Sequence, residues 1–457
     1  MNNISETIAA LATPLSASGI GIIRVSGDKS IELVDKIYRG KKHLTDYDAN
    51  TINYGHIVDF NGNVIDEVLV SVFKAPHSYT GEDSVEVNCH GGIYVLRKVL
   101  SLIFDTGIRS AEPGEFSKRA FLNGRMDLSE AESVMDLIES GSEASYRNSI
   151  RQLSGFLSKK VKKIRSEILH EAAFVEAALD DPEHYDLEGF DSKLTVSLTR
   201  WTTEIKKLIS SYRQGSLIKD GINTVISGRP NVGKSSLLNF LSGHEKAIVT
   251  DIPGTTRDMI EDRVVLGDFV LNLVDTAGIR KTSDMVESIG VKKAIKAQSD
   301  AELNLYLVDS SDNLSDEDIK FLSDFDRSST IVLLNKSDLV SNVDSDDICR
   351  YFKGHVVEFS TITGKGLDDL KNAVSDLFFD GNLDNDKFYI TSEQNYNYLN
   401  DALKSLELVR SSIANGLSED FFTSDLYDAY KSLGFILGEE VEDDLVNKVF
   451  SDFCMGK

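Results

Sequence analysis

The sequence predicts a multidomain chain: an α+β part, a helical part, and an α/β part with a mainly parallel, doubly wound sheet. Three observations carry this expectation. The 457 residues exceed what one hydrophobic core organises, so two or three domains are expected. Short strand-like runs at the start give way to long stretches of three-and-four apolar spacing. From about Gly221, short apolar runs alternate with helical stretches, as a parallel sheet covered on both faces requires.

In the first part, Ile20-Gly21-Ile22-Ile23-Arg24-Val25 is an apolar run closed by Ser26-Gly27. Val64 to Val72 follows an Asn61-Gly62 turn signal, and Ser84 to Cys89 alternates at the strand period. After His90-Gly91-Gly92, residues Ile93 to Phe104 have helical spacing, giving an α+β domain of roughly 120 residues. In the second part, Ser129-x-x-Glu132 reads as a capping box before Val134, Leu137 and Ile138. Leu153, Leu157, Val161, Ile164, Ile168, Ala172, Val175 and Leu179 share one face of a long helix stopped by Asp180-Asp181-Pro182. Lys159, Lys160, Lys162 and Lys163 lie mostly on the other face, which reads as solvated in preference to a nucleic-acid patch. Strands are expected at Thr224–Ser227, Val270–Val274, Asn304–Val308 and Ile331–Leu334. Helical spacing returns from Tyr396 to Leu417 and from Leu426 to Phe453.

Composition narrows the function classes. The formal net charge is -25, which argues against a broad electrostatic grip on nucleic acid. The cysteines, Cys89, Cys349 and Cys454, form no Cys-x-x-Cys pair, so no zinc spacing exists and a reducing compartment fits. The N-terminus lacks a basic region followed by an apolar core, and no apolar run reaches bilayer length. A cytoplasmic protein with no membrane association is expected.

Gly228-Arg229-Pro230-Asn231-Val232-Gly233-Lys234-Ser235 satisfies the full phosphate-loop pattern between a strand and a helical run. Its glycines let backbone amides turn toward phosphates, and the following helix aims its positive end at them. Lys234 reaches the β- and γ-phosphates, and Ser235 offers a hydroxyl to Mg²⁺. Asp275-Thr276-Ala277-Gly278 supplies a carboxylate for the magnesium shell and an amide for the γ-phosphate. Asn335-Lys336-Ser337-Asp338 resembles the guanine-specificity element of regulatory GTPases. A carboxylate at Asp338 accepts two hydrogen bonds that adenine cannot provide, so GTP is expected over ATP. Ser360-Thr361, before Gly364-Lys365-Gly366, takes the place of the supporting base loop, where such proteins usually have Ser-Ala. Ile279 follows Gly278, so a water-orienting Gln is missing there.

The nucleotide contacts expected are therefore Asn231, Val232, Gly233, Lys234, Ser235 and Ser236 in the phosphate loop. In the loop between it and Asp275, Thr255 and Thr256 can carry a hydroxyl onto Mg²⁺ and close over the γ-phosphate. Asp275, Thr276, Ala277, Gly278, Asn335, Lys336 and Asp338 complete the set.

Further segments extend the pattern: Ala12-Thr13-Pro14, Thr80-Gly81-Glu82-Asp83, Cys89-His90-Gly91-Gly92, Pro113 to Ser117, Ala120 to Leu128, Gln214-Gly215 and the terminal Phe453-Cys454-Met455-Gly456-Lys457. With them the chain resembles, nearly end to end, the MnmE (TrmE) family of tRNA-modification GTPases, in the TrmE-Era-EngA-like class. The resemblance implies a tetrahydrofolate-binding-like N-terminal and dimerisation domain at 1–120. It implies a helical domain at 121–215 and 381–457, into which a G domain at 216–380 is inserted. It implies nucleotide contacts along Thr250, Asp251, Ile252, Pro253 and Gly254, K⁺ held by Asn231, Thr250, Ile252 and Thr255, Mg²⁺ held by Ser235 and Thr256, and Glu287 orienting the attacking water. Pro253 stands where the family often has Ala. A formyl-tetrahydrofolate is implied at Arg24, Glu86, Arg125 and Lys457, with Arg125 standing where some members have Lys. Cys454 lies near the implied modification site, either as a packed small residue or as a reactive group.

The resemblance further implies a homodimer that works with the flavin protein MnmG in a heterotetramer, FAD residing on that partner. The pair would install an aminomethyl-type group, carboxymethylaminomethyl in the family, on carbon 5 of the wobble uridine of certain tRNAs. A GTP-dependent ribosome-assembly factor or scaffold is the alternative reading.

Overall fold

The structure is a computed structural model that describes residues 6–181, 183–184, 188–244, 262–274, 301–324, 326–379, 381, 387–439, 443–451, 453 and 456–457. The chain forms two compact units. One comprises 1–135, 153–174 and 426–457, and the other 136–152 and 175–425.

In the first unit the strands are β1 (Ile8–Leu11), β2 (Ile20–Ser26), β3 (Tyr38–Gly40), β4 (Thr51–Val58), β5 (Val64–Phe73), β6 (Ser84–His90) and β7 (Arg109–Ser110). Among the described residues they make one sheet in the order β3-β4-β5-β6-β2-β1-β7, antiparallel except for β1 with β7. The β4–β5 hairpin turns at Asn61-Gly62, where Gly62 takes a positive φ of 88° and Asp59 Oδ1 accepts from the amides of Asn61 and Asn63. Period-two alternation buries Val68, Val70 and Val72 while Glu67 and Leu69 face outward. The helix Ile93–Asp105 covers the inner face with Leu96, Val99, Leu102 and Ile103, as its apolar spacing predicts. On the opposite face Ile52, Tyr54 and Leu69 stand exposed, with Tyr54 and Leu69 directly paired across the strands.

The segments at Thr80–Asp83 and Pro113–Ser117 meet in a buried ion network. Arg119, on the helix Glu115–Leu122, is 2% exposed and bonds both Glu82 and Glu115. Arg109 binds Glu115 from the other side at 2.6 Å. Burial pushes the Glu115 carboxyl up, but the two guanidinium groups and the Glu112 amide outweigh it and hold it below its ordinary value.

The helix Leu128–Ile138 corrects one expectation. Its box is Asp127 with Glu130, each side chain accepting from the other's amide at 3.1 Å, rather than Ser129 with Glu132. The helix begins at Leu128, so Asp127 holds the capping position and Glu130 the third turn position. The expected long helix is also divided. Leu153 ends the helix Glu143–Leu153, Gly155 takes a φ of 76°, and a new helix runs Phe156–Asp180. The C-terminal helical stretch likewise splits into Glu419–Leu437 and Asp443–Ser451. Val446, Phe450 and Phe453 pack with Leu128, Ala131 and Met135 in a satellite core.

In the second unit the strands are β8 (Ile222–Gly228), β9 (Asp262–Leu266), β10 (Phe269–Val274), β11 (Leu303–Asp309), β12 (Thr330–Asn335) and β13 (His355–Glu358). Their order is β13-β12-β11-β8-β10-β9, parallel throughout except for the edge strand β9. β12 is buried along its whole length, which is why it reads as a continuous apolar run and not as an alternation. Beside this sheet's core, the helices Phe190–Ser210 and Glu393–Ala414 pack together, burying Trp201, Leu198 and Ile205 with Leu399, Ala402 and Leu406. Each such large apolar side chain contributes roughly 1.5–3 kcal/mol. Asn148 exchanges two buried bonds with the Tyr389 backbone, fixing the return of the chain after the sheet. No helix among the described residues is long and apolar enough to cross a membrane.

Candidate functional site

β8 delivers the chain to the C-terminal edge of its parallel sheet, where ligands of open α/β sheets bind. Gly228 takes a φ of 137°, and a Cβ there would lie 2.5 Å from the Leu307 carbonyl of β11. Asn231 follows in the left-handed region at φ 67°, which Asn tolerates better than most residues. Gly233 has a φ of 104°, and a Cβ would lie 2.3 Å from Asn335 Nδ2. The loop therefore closes because glycine stands at both crowded positions. Lys234 opens the helix Lys234–His244, and its ammonium donates to the carbonyls of Gly228 at 2.8 Å and Arg229 at 2.6 Å. Val232 is buried beneath the loop, while Ser235 and Ser236 are exposed in the first helical turn.

The end of β12 joins this loop. Asn335 Nδ2 donates to the Val232 carbonyl at 2.8 Å, so the base-recognition segment and the phosphate cradle share one bond. Lys336 takes a φ of 64° and donates to Asp309 Oδ2 at 2.5 Å. Burial raises the Asp309 carboxyl, but Lys336 and Ser311 outweigh it and leave Asp309 below its ordinary value. Asp338 Oδ1 accepts from the Ser360 hydroxyl at 2.6 Å, and Ser360 Oγ accepts in turn from the amides of Ile362 and Thr363.

The structure thus brings together Asn231, Val232, Gly233, Lys234, Ser235, Ser236, Asn335, Lys336 and Asp338. Asp309 was not anticipated, and Ser360, expected in the supporting base loop, was not expected to hold Asp338. An Asp closing an apolar strand was a usable signal for the first. Thr250, Asp251, Ile252, Pro253, Gly254, Thr255, Thr256, Asp275, Thr276, Ala277, Gly278, Glu287 and Cys454 lie outside the described residues.

A second cluster sits on the N-terminal sheet. Arg24 of β2 faces Glu86 of β6 in register, with Nε and Nη2 each 2.9 Å from Glu86 Oε1. Arg24 Nη1 also donates to the Gly456 carbonyl at 3.2 Å. Its guanidinium lies 5.0 Å from the Tyr79 ring centroid, and the Lys457 ammonium lies 5.7 Å from the same ring. The terminal segment is seated by close backbone approach, since a Cβ on Gly456 would lie 2.1 Å from the Leu11 carbonyl. Arg24, Glu86 and Lys457 converge. Arg125 is exposed beyond the helix Glu115–Leu122 and makes no hydrogen bond or ion pair with them. Tyr79 completes the group and was not anticipated; the aromatic beside Thr80-Gly81 was its signal.

A doubly wound parallel sheet, a phosphate loop at its edge and an Asn-Lys-x-Asp segment bonded to that loop define a phosphate-loop GTPase. Two family models together match nearly the whole chain, the GTP-binding protein TrmE N-terminus over residues 7–125 and the MnmE helical domain over 128–454. The tRNA modification GTPase MnmE of Lachnoclostridium phytofermentans is 49% identical over 99% of this chain and 100% of its own. That of Acetivibrio thermocellus is 43% identical over 99% of each. A solved G domain, from the T. maritima FeoB iron transporter, is 26% identical over 34% of this chain and 98% of its own, with a TM-score of 0.26. The chain belongs to the MnmE family of tRNA-modification GTPases.

Proposed function

We propose that this chain is a potassium-activated GTPase that acts as a homodimer with the flavin protein MnmG. The pair modifies carbon 5 of the wobble uridine of certain tRNAs with an aminomethyl-type group, carboxymethylaminomethyl in the family. The observation that carries the nucleotide part is the bond from Asn335 to the Val232 carbonyl, which couples base recognition to the phosphate cradle. Asp338, oriented by Ser360, accepts the guanine ring N–H and amine. Lys234, gathered by two loop carbonyls, is poised to exchange those partners for phosphate oxygens.

Ser235 is an exposed hydroxyl at a helix start, a donor type that suits Mg²⁺. Asn231 presents an amide from a left-handed loop position, a donor type that suits a large, weakly hydrated cation such as K⁺. When bound, these ions neutralise charge that develops on the phosphates. Thr256 is proposed to join Ser235, and Thr250, Ile252 and Thr255 to join Asn231. Glu287 is proposed to orient water, since Ile279 cannot.

The Arg24–Glu86 cluster, with Tyr79 and Lys457, offers cationic groups for a folate carboxylate, an acceptor for a pterin edge and an aromatic face. Formyl-tetrahydrofolate is its proposed ligand, with Arg125 at its margin. FAD belongs to MnmG in this reading, the two proteins forming a heterotetramer in the cytoplasm, and the role of Cys454 is a reactive group near the modification site.

GTP turnover measured in potassium and in sodium tests the activation. Potassium should raise the rate ~10-fold or more, about 1.4 kcal/mol of barrier, and Asn231→Ala should abolish the difference. Equal rates in the two salts would count against it. Mass spectrometry of tRNA nucleosides from a deletion strain tests the modification: an unchanged wobble uridine, with the protein cosedimenting with ribosomes, would favour an assembly factor.

A further inference from the structure

We propose that Asp318 is a positioning residue for the phosphate loop, acting through Arg229. Arg229 is the second residue of the loop, and its carbonyl is one of the two that receive the Lys234 ammonium. Its side chain places Nε 2.8 Å from Asp318 Oδ2, while the exposed Asp312 carboxylate lies farther off, 3.8 Å from Nη2. The Nε–H does not point along a linear hydrogen bond, so the contact is a close ion pair.

Asp318 is completely buried, and its own bonds fix it in place. Oδ1 accepts from the Tyr306 hydroxyl at 2.9 Å, and Oδ2 accepts from the Ser315 hydroxyl at 2.8 Å. Tyr306 belongs to β11, the strand beside β8, and Asp318 lies in the first turn of the helix Asp316–Asp324. The sheet and the following helix therefore aim one buried carboxylate at the outer arm of the loop. A buried charge demands a partner, and Arg229 is the cation that meets it. The arginine is thereby denied the rotamers it would sample at a surface. With Arg229 pinned, the carbonyl that gathers Lys234 is held before nucleotide arrives. The loop avoids an ordering cost on binding, and affinity for both GDP and GTP benefits.

This inference rests on the GTPase reading, and the experiment separates the two. Dissociation constants for fluorescent GDP and GTP analogues are measured on the full chain for wild type, Asp318→Asn, Arg229→Ala, the double variant and Asp127→Ala. Asp318→Asn keeps the hydroxyl contacts in outline and removes the charge that holds Arg229. Each of the first two single variants should weaken both nucleotides about tenfold. The double variant should be no weaker than the worse single one, because both act through one contact. Asp127→Ala leaves the Arg229–Asp318 ion pair and removes a helix-capping bond in the other compact unit, so it should lower the thermal midpoint and leave both constants at wild type. Wild-type constants for Asp318→Asn, additive losses in the double variant, or an equal loss in Asp127→Ala would each overturn the proposal. If Asp318→Asn does not fold, Arg229→Ala, whose side chain is 20% exposed, carries the test alone, and a wild-type constant overturns the proposal. A wild-type protein that binds neither nucleotide would sink the GTPase reading itself.

Discussion

At the scale of single residues, the phosphate loop is decided by what cannot be present. A methyl group at Gly233 meets Asn335 Nδ2 at 2.3 Å, and the backbone there has a φ of 104°. Gly233→Ala therefore strains the loop and breaks its bond to β12 together. We expect it to lose guanine-nucleotide binding while the far-ultraviolet circular dichroism stays at wild type; retained affinity would contradict the loop geometry. Glu115 gives a second residue-scale expectation, and its sign follows from its depressed carboxyl. The stabilisation is fully present above the unfolded value of 4.5 and is lost as pH falls through the lower folded value. Urea midpoints measured from about pH 6 to 3 should fall in wild type and fall less steeply in Glu115→Gln. Parallel curves would show that the Arg109–Glu115–Arg119 network does not carry the pH dependence.

At the scale of elements, the helix Leu128–Ile138 shows what a capping box contributes. Asp127 satisfies the Glu130 amide and also pairs with Lys162 at 3.3 Å. Asp127→Ala should cost about 1 kcal/mol, within the 0.5–2 kcal/mol range of such caps, whereas Asp127→Asn should recover most of it. Chemical denaturation distinguishes them, and equal losses would assign the effect to the ion pair instead. The displaced box also marks how far local pattern reaches. Runs such as Val64–Val72 and Ile331–Leu334 were legible because burial on one face or both imposes a period on the residues themselves. A cap depends on which residue starts the helix, and Ser129 and Asp127 offer nearly equivalent chemistry two positions apart. The phosphate loop was legible for a related reason, since every crowded position in it must be glycine. The Arg24 cluster was legible only by resemblance. Its members come from β2, β6 and a terminus 432 positions away from Arg24, and no local period connects them. Asp309 escaped notice, and Ser360 was read only as part of the supporting base loop, because each acts by holding another side chain, a relation that exists only once strands β11, β12 and β13 lie side by side.

At the scale of the whole molecule, charge and apolar surface act against each other. A net charge of -25 makes two copies of this chain repel at long range. Yet the outer face of the N-terminal sheet exposes Ile52 at 69%, Tyr54 at 57%, Leu69 at 47% and Ile20 at 63%. Tyr54 and Leu69 are paired across β4 and β5, and Asn88 links Leu69 in register to Ile22 of β2, so these side chains share one surface. Apolar surface of this kind, set within a strongly acidic chain, is what a second copy would cover in the proposed homodimer. The two forces respond oppositely to salt. Screening shortens the reach of the repulsion to about 10 Å at 0.1 M ionic strength and leaves the apolar gain almost untouched. Sedimentation equilibrium should therefore show a dimer that tightens as salt rises, the reverse of an association held by ion pairs. Tyr54→Glu combined with Leu69→Glu adds repulsion and removes the apolar gain, so it should give a monomer at every salt concentration. Because both side chains point away from the inner core, the variant should keep the wild-type thermal midpoint measured at a dilution where both are monomeric. A variant that still dimerises would move the interface to another face, and a dimer that loosens with salt would show that charge pairing, not apolar burial, holds the two copies together.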